Sequence, residues 1–255
     1  SPAGEERNND TSSSCEWTKW DKDLFCKLLQ NQTIVIHGDS LSQEQSWSLG
    51  LLLGDPPCNG TVQVIFRSKF FLDADVLGWE LKDKEPNIVL INRGAHYVSD
   101  EILLADMEKV FQVVRVWQEQ CKKVGRSCHL IWRTSVPGHP NCEYYKEPSK
   151  NLTEMEGIIA NPSNFKPKQR RFHWEEYQHQ NKLVVKAFAE SGLDYDVLDA
   201  YYLNVLRPDG HSFYLKNDCL HSCLSSGKID VYNQLLLHLI RLRRHSDSRA
   251  GGFNT

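Results

Sequence analysis

The chain has 255 residues and a formal net charge of −3, with 30 Lys and Arg against 33 Asp and Glu. That balance excludes the basic footprint of a nucleic-acid binder. A composition of 40% hydrophobic and 25% charged residues excludes a disordered or fibrous chain and fits an ordinary globular one.

Ser1 to Ser14 is polar and rich in Ser, Asn and Glu, which predicts a disordered lead-in. Trp17, Trp20, Leu24, Leu28 and Leu29 recur at helical spacing, ahead of a buried strand at Thr33-Ile34-Val35-Ile36. His37-Gly38-Asp39-Ser40 ends that strand, and a helix over residues 41–53 stops at Gly54, Asp55, Pro56 and Pro57. Further strands are predicted at 61–66, 87–91, 129–133 and 195–199, with helices at 100–123, 174–191 and 229–244. Residues 137–167 carry Gly, Pro and Asn without periodicity, which predicts a long loop with small elements. Arg241, Arg243, Arg244 and His245 read as the solvated end of the last helix. Trp17, Trp20, Trp47 and Trp117 sit at helical spacings that suggest core packing.

Strands alternating with helices predict an α/β fold, a three-layer sandwich around a mostly parallel sheet. One domain is expected over residues 15–245, with 246–255 a disordered tail. No apolar run approaches the length of a membrane-spanning helix, so any anchor would lie outside this chain. Eight cysteines, an even number without a Cys-x-x-Cys pair, fit a disulfide framework in an oxidising compartment. Acceptor triplets for N-glycosylation begin at Asn9, Asn31, Asn59 and Asn151 and point the same way, to the secretory pathway, Golgi lumen or extracellular space.

In a parallel sheet, functional groups collect beyond the carboxyl ends of the strands, where Ser40, Asn92 and the segment 133–139 fall. Ser40 follows a strand and opens a helix. A serine there is commonly an N-cap, but it is also placed to carry an acyl group. A serine hydroxyl needs a base, usually a histidine oriented by a carboxylate, and Asp218-Cys219-Leu220-His221 supplies both three residues apart. The N–H groups of Ser40 and Gly94 and the Asn92 side chain are the predicted oxyanion hole. Asp39, His96, Arg133, His139 and His211 are candidates for binding substrate; a structural role is the alternative for each histidine, and for Arg133 the alternative is to anchor its loop through hydrogen bonds to carbonyls. Asp218, Cys219, His221 and Cys223 also contain zinc-ligand types, but oxidising surroundings favour cysteine pairing, so no metal is expected.

The order of these islands resembles the SGNH, or GDSL-type, hydrolase superfamily. Within it the chain is similar to the PC-esterase and trichome birefringence-like group of polysaccharide O-acetyltransferases. The resemblance rests on Gly38-Asp39-Ser40-Leu41-Ser42 with Gln45 and Trp47, on Asn92-Arg93-Gly94-Ala95-His96, and on Arg133-Thr134-Ser135-Val136-Pro137-Gly138-His139. It closes on Arg207-Pro208-Asp209-Gly210-His211 and on Asp218-Cys219-Leu220-His221-Ser222-Cys223-Leu224, with Asp230, Tyr232, Asn233 and Leu235 following. Ser222 stands where the family has Trp.

The resemblance implies a Ser40-His221-Asp218 triad that takes acetyl from a donor and passes it to a glycan hydroxyl, with no bound cofactor. Esterase activity with water as acceptor is the alternative, and a non-catalytic carbohydrate-binding module the second. It also implies a Cys142–Cys219 bridge and Cys223 tied to Cys15 or Cys26. Cys121 and Cys128 are placed to close a local loop.

Overall fold

The computed structural model describes residues 18–211 and 218–251, with side chains to 245. The first helix, α1 (Lys22–Leu28), is capped by Asp21, whose side chain accepts the Leu24 N–H. It leads into β1 (Gln32–Gly38), where the β-branched residues Ile34, Val35 and Ile36 are all buried. Then come α2 (Ser40–Leu53), β2 (Val62–Ser68), α3 (Ala74–Asp83), β3 (Ile88–Ile91), α4 (Asp100–Lys123) and β4 (His129–Arg133). After a long connection containing α5 (Leu152–Ile159) and α6 (Pro167–Arg170) follow α7 (Tyr177–Ser191), β5 (Tyr195–Leu198), α8 (Tyr201–Val205) and α9 (Asp230–Gly251).

The strands form one sheet in the order β2-β1-β3-β4-β5, and every pairing is parallel. Successive residues of a strand point to opposite faces, and β3 shows the consequence. Ile88 and Leu90 join a core with Leu41, Leu49, Leu236 and Leu237 under α2 and α9. Val89 and Ile91 join another with Leu77, Met107, Phe111 and Phe188 under α3, α4 and α7. The fold is therefore the three-layer α/β sandwich that the alternation predicts.

Several local expectations need correction. Helix α3 was not foreseen, although Asp73 caps it through the Val76 N–H and Leu77 and Leu81 supply its buried face. Gly78 obscured that pattern: it sits inside the helix where a Cβ would only touch Val113. The last helix runs to Gly251, so residues 246–251 are not a disordered tail; no Pro or Gly interrupts the backbone ladder before Gly251. In the basic run His245 is exposed as expected, but the three arginines are half-buried and bonded. Arg241 donates to Thr18 Oγ1 and Arg244 to the Leu28 carbonyl, while Arg243 pairs with Asp194. These bonds tie α9 to α1 and to the turn before β5. Trp117 is buried as expected, but Trp47 is 54% exposed on the outer face of α2. The lead-in 1–14 and Trp17 lie outside the described residues, as does Asn9.

Among the described residues three disulfides form: Cys26–Cys58, Cys121–Cys128 and Cys142–Cys219. The last two match expectation. Cys26 is not available to Cys223, because α1 packs against the turn after α2 and so faces Cys58. Cys223 is half-buried and bonded to no described cysteine, and Cys15 lies outside the described residues. Such bridges are the chemistry of an oxidising compartment and are consistent with the secretory pathway. Asn31, Asn59 and Asn151 are all exposed, and Asn151 caps α5 through its side-chain oxygen. Among the described residues no helix is long and apolar enough to cross a membrane.

Candidate active site

Ser40 is the first residue of α2, and Asp39, not Ser40, is the cap: its Oδ1 accepts the Leu41 N–H at 3.0 Å. As the first helical residue, Ser40 has an N–H with no intrahelical carbonyl to bond and a hydroxyl at the positive end of the helix dipole. The turn before it is tight. A Cβ on Gly38 would meet Ser42 Oγ at 2.2 Å, so only glycine lets β1 pass that close to α2.

From the far end of the chain, His221 brings Nε2 to within 2.8 Å of Ser40 Oγ. Its Nδ1 lies 2.7 Å from Asp218 Oδ2. A carboxylate only accepts, so Nδ1 carries the proton and Nε2 is left to accept from the serine hydroxyl. Oδ1 of Asp218 accepts the N–H groups of Leu220 and His221, which holds the carboxylate beside the ring. The hydrogen bond to Asp218 raises the His221 pKa, burial opposing it. Burial works to raise the Asp218 pKa, yet the bonds from the His221 ring and backbone hold its carboxyl below the ordinary range.

The segment carrying this pair is held from beneath. The Cys142–Cys219 bridge and a bond from the His139 N–H to the Cys219 carbonyl anchor it to the connection after β4. His139 Nδ1 lies 2.7 Å from His211 Nε2, and His211 Nδ1 lies 3.0 Å from the His221 carbonyl. Both imidazoles are buried, and burial lowers the His139 pKa to about 3 and that of His211 well below the usual value. They support the backbone of His221 and do not line an open cleft, so of their two readings the structural one holds and the substrate-binding one does not. Cys219, weighed as a metal ligand, is instead bonded to Cys142.

Other candidates are equally committed elsewhere. Arg133 is fully buried and donates to the Leu41 carbonyl, Gln45 Oε1 and Ser42 Oγ, so it anchors α2 to β4 and does not meet substrate. Asp39 is also buried; its Oδ2 accepts the Ala95 N–H at 2.7 Å, joining the turns after β1 and β3. Asn92 donates to the Arg133 carbonyl and Ser135 Oγ, and its Oδ1 accepts the Gly94 N–H. Neither Asn92 nor Gly94 is therefore free to donate to an oxyanion, because the short Asn side chain folds back on its own turn. Of the predicted oxyanion donors, the Ser40 N–H stays uncommitted. His96 alone of the substrate-binding candidates reaches the surface of the site, with Nε2 3.6 Å from Asp39 Oδ2.

Glu44 was missed. It lies one turn beyond Ser40, is buried, and accepts the Ser222 N–H through Oε1 at 2.9 Å. Burial pushes its carboxyl up to about 7, the positive end of His221 opposing that rise. The i+4 spacing from Ser40 was the signal that could have found it. Further along α2, Ser48 donates to Asp230 and Gln45 to Asn233, so the helix that starts at Ser40 is bonded along its length to α9.

An α/β sandwich with a serine hydroxyl, imidazole and carboxylate in sequence beyond the parallel strands belongs to the class of serine-dependent acyl-transfer folds. The chain is a member of the PC-Esterase family, described as the GDSL/SGNH-like acyl-esterase family found in Pmr5 and Cas1p, whose profile it matches over residues 79–239. It is 36% identical over 80 residues to xyloglucan O-acetyltransferase 4 of Populus trichocarpa, a match spanning 28% of this chain and 19% of that protein. Among solved structures it is similar to a GDSL-like lipase from Bacteroides thetaiotaomicron VPI-5482, with a TM-score of 0.47 and 12% identity over 84% of this chain and 89% of that one. It is also similar to Est24, a carbohydrate acetylesterase from Sinorhizobium meliloti, with a TM-score of 0.44 and 16% identity over 87% and 100%.

Proposed function

We propose that the chain is an O-acetyltransferase of glycan hydroxyls, with Ser40 as nucleophile, His221 as base and Asp218 as the group that orients it. The carrying observation is the continuous path of 2.8 and 2.7 Å contacts from the Ser40 hydroxyl through the His221 ring to Asp218. His221 takes the Ser40 proton as Oγ attacks the acetyl carbonyl of the donor. The carbonyl oxygen becomes an oxyanion facing the Ser40 N–H, and the donor leaves with the proton from His221. In the second half a sugar hydroxyl gives its proton to His221 and attacks the acetyl-serine, which releases acetylated glycan and restores Ser40. The donor is a co-substrate, and no bound cofactor is called for. Secretion into the Golgi lumen or beyond would bring the enzyme to its glycans.

A single observation favours hydrolysis as a second reading: the His221 ring is about one-third exposed, so water can compete for the acyl-enzyme. Incubation with p-nitrophenyl acetate, with and without xyloglucan oligosaccharides, separates the two. The transferase yields acetylated oligosaccharide and a mass shift on the peptide containing Ser40; free acetate with no acetylated sugar sinks transfer. Ester turnover and labelling that survive Ser40→Ala sink the triad.

A further inference from the structure

The rings of Phe70 and His96 lie with centroids 4.7 Å apart. Phe70 belongs to the loop after β2 and His96 to the loop after β3, and β1 lies between those two strands. Their contact therefore arches over the carboxyl end of β1, where Asp39 and Ser40 stand. Two bonds fix the arch to that turn: the Lys69 N–H donates to the Gly38 carbonyl, and the Ala95 N–H to Asp39 Oδ2. Phe71 approaches His96 at 6.3 Å and Tyr97 at 5.1 Å. On the other side Phe172 meets His96 edge-on at 6.1 Å, and the Arg171 guanidinium covers the Phe172 ring at 4.6 Å.

Phe70 is 68% exposed and Phe71 50%. A lone exposed aromatic ring needs no explanation, but a contiguous row beside a nucleophile is the lining of a ligand site. The row is open, which does not suit an acyl chain, whose burial requires enclosure on all sides. It suits a pyranose ring. One face of such a ring is a patch of C–H bonds that packs on the negative face of an aromatic ring, while its hydroxyls point outward to water and to donors. His96 supplies a polar ring in the middle of the row and Arg171 a guanidinium at its Phe172 end.

We propose that Phe70, Phe71 and Phe172, arranged around His96, form a stacking subsite for a sugar ring of the acceptor glycan; this rests on the glycan reading of the Ser40 site. The subsite sets where along the acceptor the acetyl group is delivered, because the stacked ring is held at a fixed offset from Ser40.

The test pairs two measurements. Binding of xyloglucan and xylan oligosaccharides is followed by titration calorimetry on the Ser40→Ala chain, and ester turnover is followed with p-nitrophenyl acetate on the chain with Ser40 intact. Phe70→Ala combined with Phe172→Ala weakens oligosaccharide binding by about tenfold or more, a loss larger than any change in ester turnover. Phe70→Trp, which keeps a ring, retains binding. Trp79→Ala removes another exposed aromatic side chain, 55% exposed on α3, and leaves both readouts at the parental level. Oligosaccharide affinity unchanged by loss of both rings overturns the subsite. So does a chain that turns over the ester through Ser40 yet binds no oligosaccharide, a result that leaves the role of Ser40 standing. Ester turnover that survives Ser40→Ala overturns the reading of Ser40 and the subsite with it.

Discussion

Oε1 of Glu44 accepts the backbone N–H of Ser222 at 2.9 Å, so the helix that begins at Ser40 also grips the residue next to His221. The nucleophile and the base of the proposed reaction are thereby referenced to one rigid element. Burial raises the Glu44 pKa to about 7 from 4.5, so the folded chain holds a proton there that the unfolded chain has lost. The sign follows: this contribution to stability is complete below the unfolded value of 4.5 and drains away as pH rises through about 7. Glu44→Gln keeps the acceptor without the ionisation, and urea titrations at about pH 5 and about pH 8 should show a smaller pH dependence than the parent. Glu44→Leu strands the Ser222 N–H and should cost roughly 1–3 kcal/mol, with a fall in kcat as His221 loses its register.

The His221 pKa is raised first by its hydrogen bond with Asp218. Because the base must be neutral, the acid limb of kcat/KM should lie above the ordinary histidine value of 6.5. Asp218→Asn removes the charge and should move that limb down while reducing kcat on the order of 10³–10⁴-fold, the scale of comparable triad changes. Stability moves oppositely for the two groups. The part owed to His221 is present at acid pH and is lost as pH rises through its raised pKa. The part owed to Asp218 is present above its unfolded value of 3.8 and is lost as pH falls through its depressed pKa. A pH–rate profile with an acid limb unmoved in Asp218→Asn would contradict this coupling.

Cys142 and Cys219 are 77 residues apart in sequence, and Cys219 adjoins Asp218. Closing a loop of that length restricts the unfolded chain by about 4 kcal/mol in the chain-entropy treatment. The paired change Cys142→Ala with Cys219→Ala should lower Tm by several degrees and kcat more than KM, since the carboxylate loses its neighbouring anchor. Calorimetry and steady-state kinetics on the same preparation read both effects.

Arg133→Lys tests the reassignment of that residue from substrate to scaffold. The planar guanidinium reaches three acceptors on α2 at once, and an ammonium cannot reproduce that fork. The expected outcome is destabilisation of roughly 3 kcal/mol with KM for the acceptor unchanged at temperatures where the variant is folded. A raised KM without loss of stability would return Arg133 to the binding surface.

Much of this protein was legible from residue order alone. The β-branched run at Ile34-Val35-Ile36, the capped helix from Asp100 to Lys123 and the strand at His129 to Arg133 follow from local hydrophobic periodicity, and that periodicity sets the α/β layering. The Asp218–His221 couple was legible in its three-residue spacing, while its meeting with Ser40, 181 residues away, was an expectation carried by the family resemblance. What each polar side chain bonds to was not legible. Asn92, Arg133, His139 and His211 carry site chemistry in type, yet each is buried against partners in other segments, 41 residues away for Asn92 and 72 for His139 with His211, or closer by, two residues away for Asn92 and 10 for His211. Which cysteine meets Cys26, which N–H Glu44 satisfies and which rings stand over the end of β1 are likewise decided by contacts between segments distant in sequence. Periodicity records how a segment divides itself between core and water; only the packed tertiary structure, in which every buried donor and acceptor must find a partner, decides which of the polar residues are left free to act.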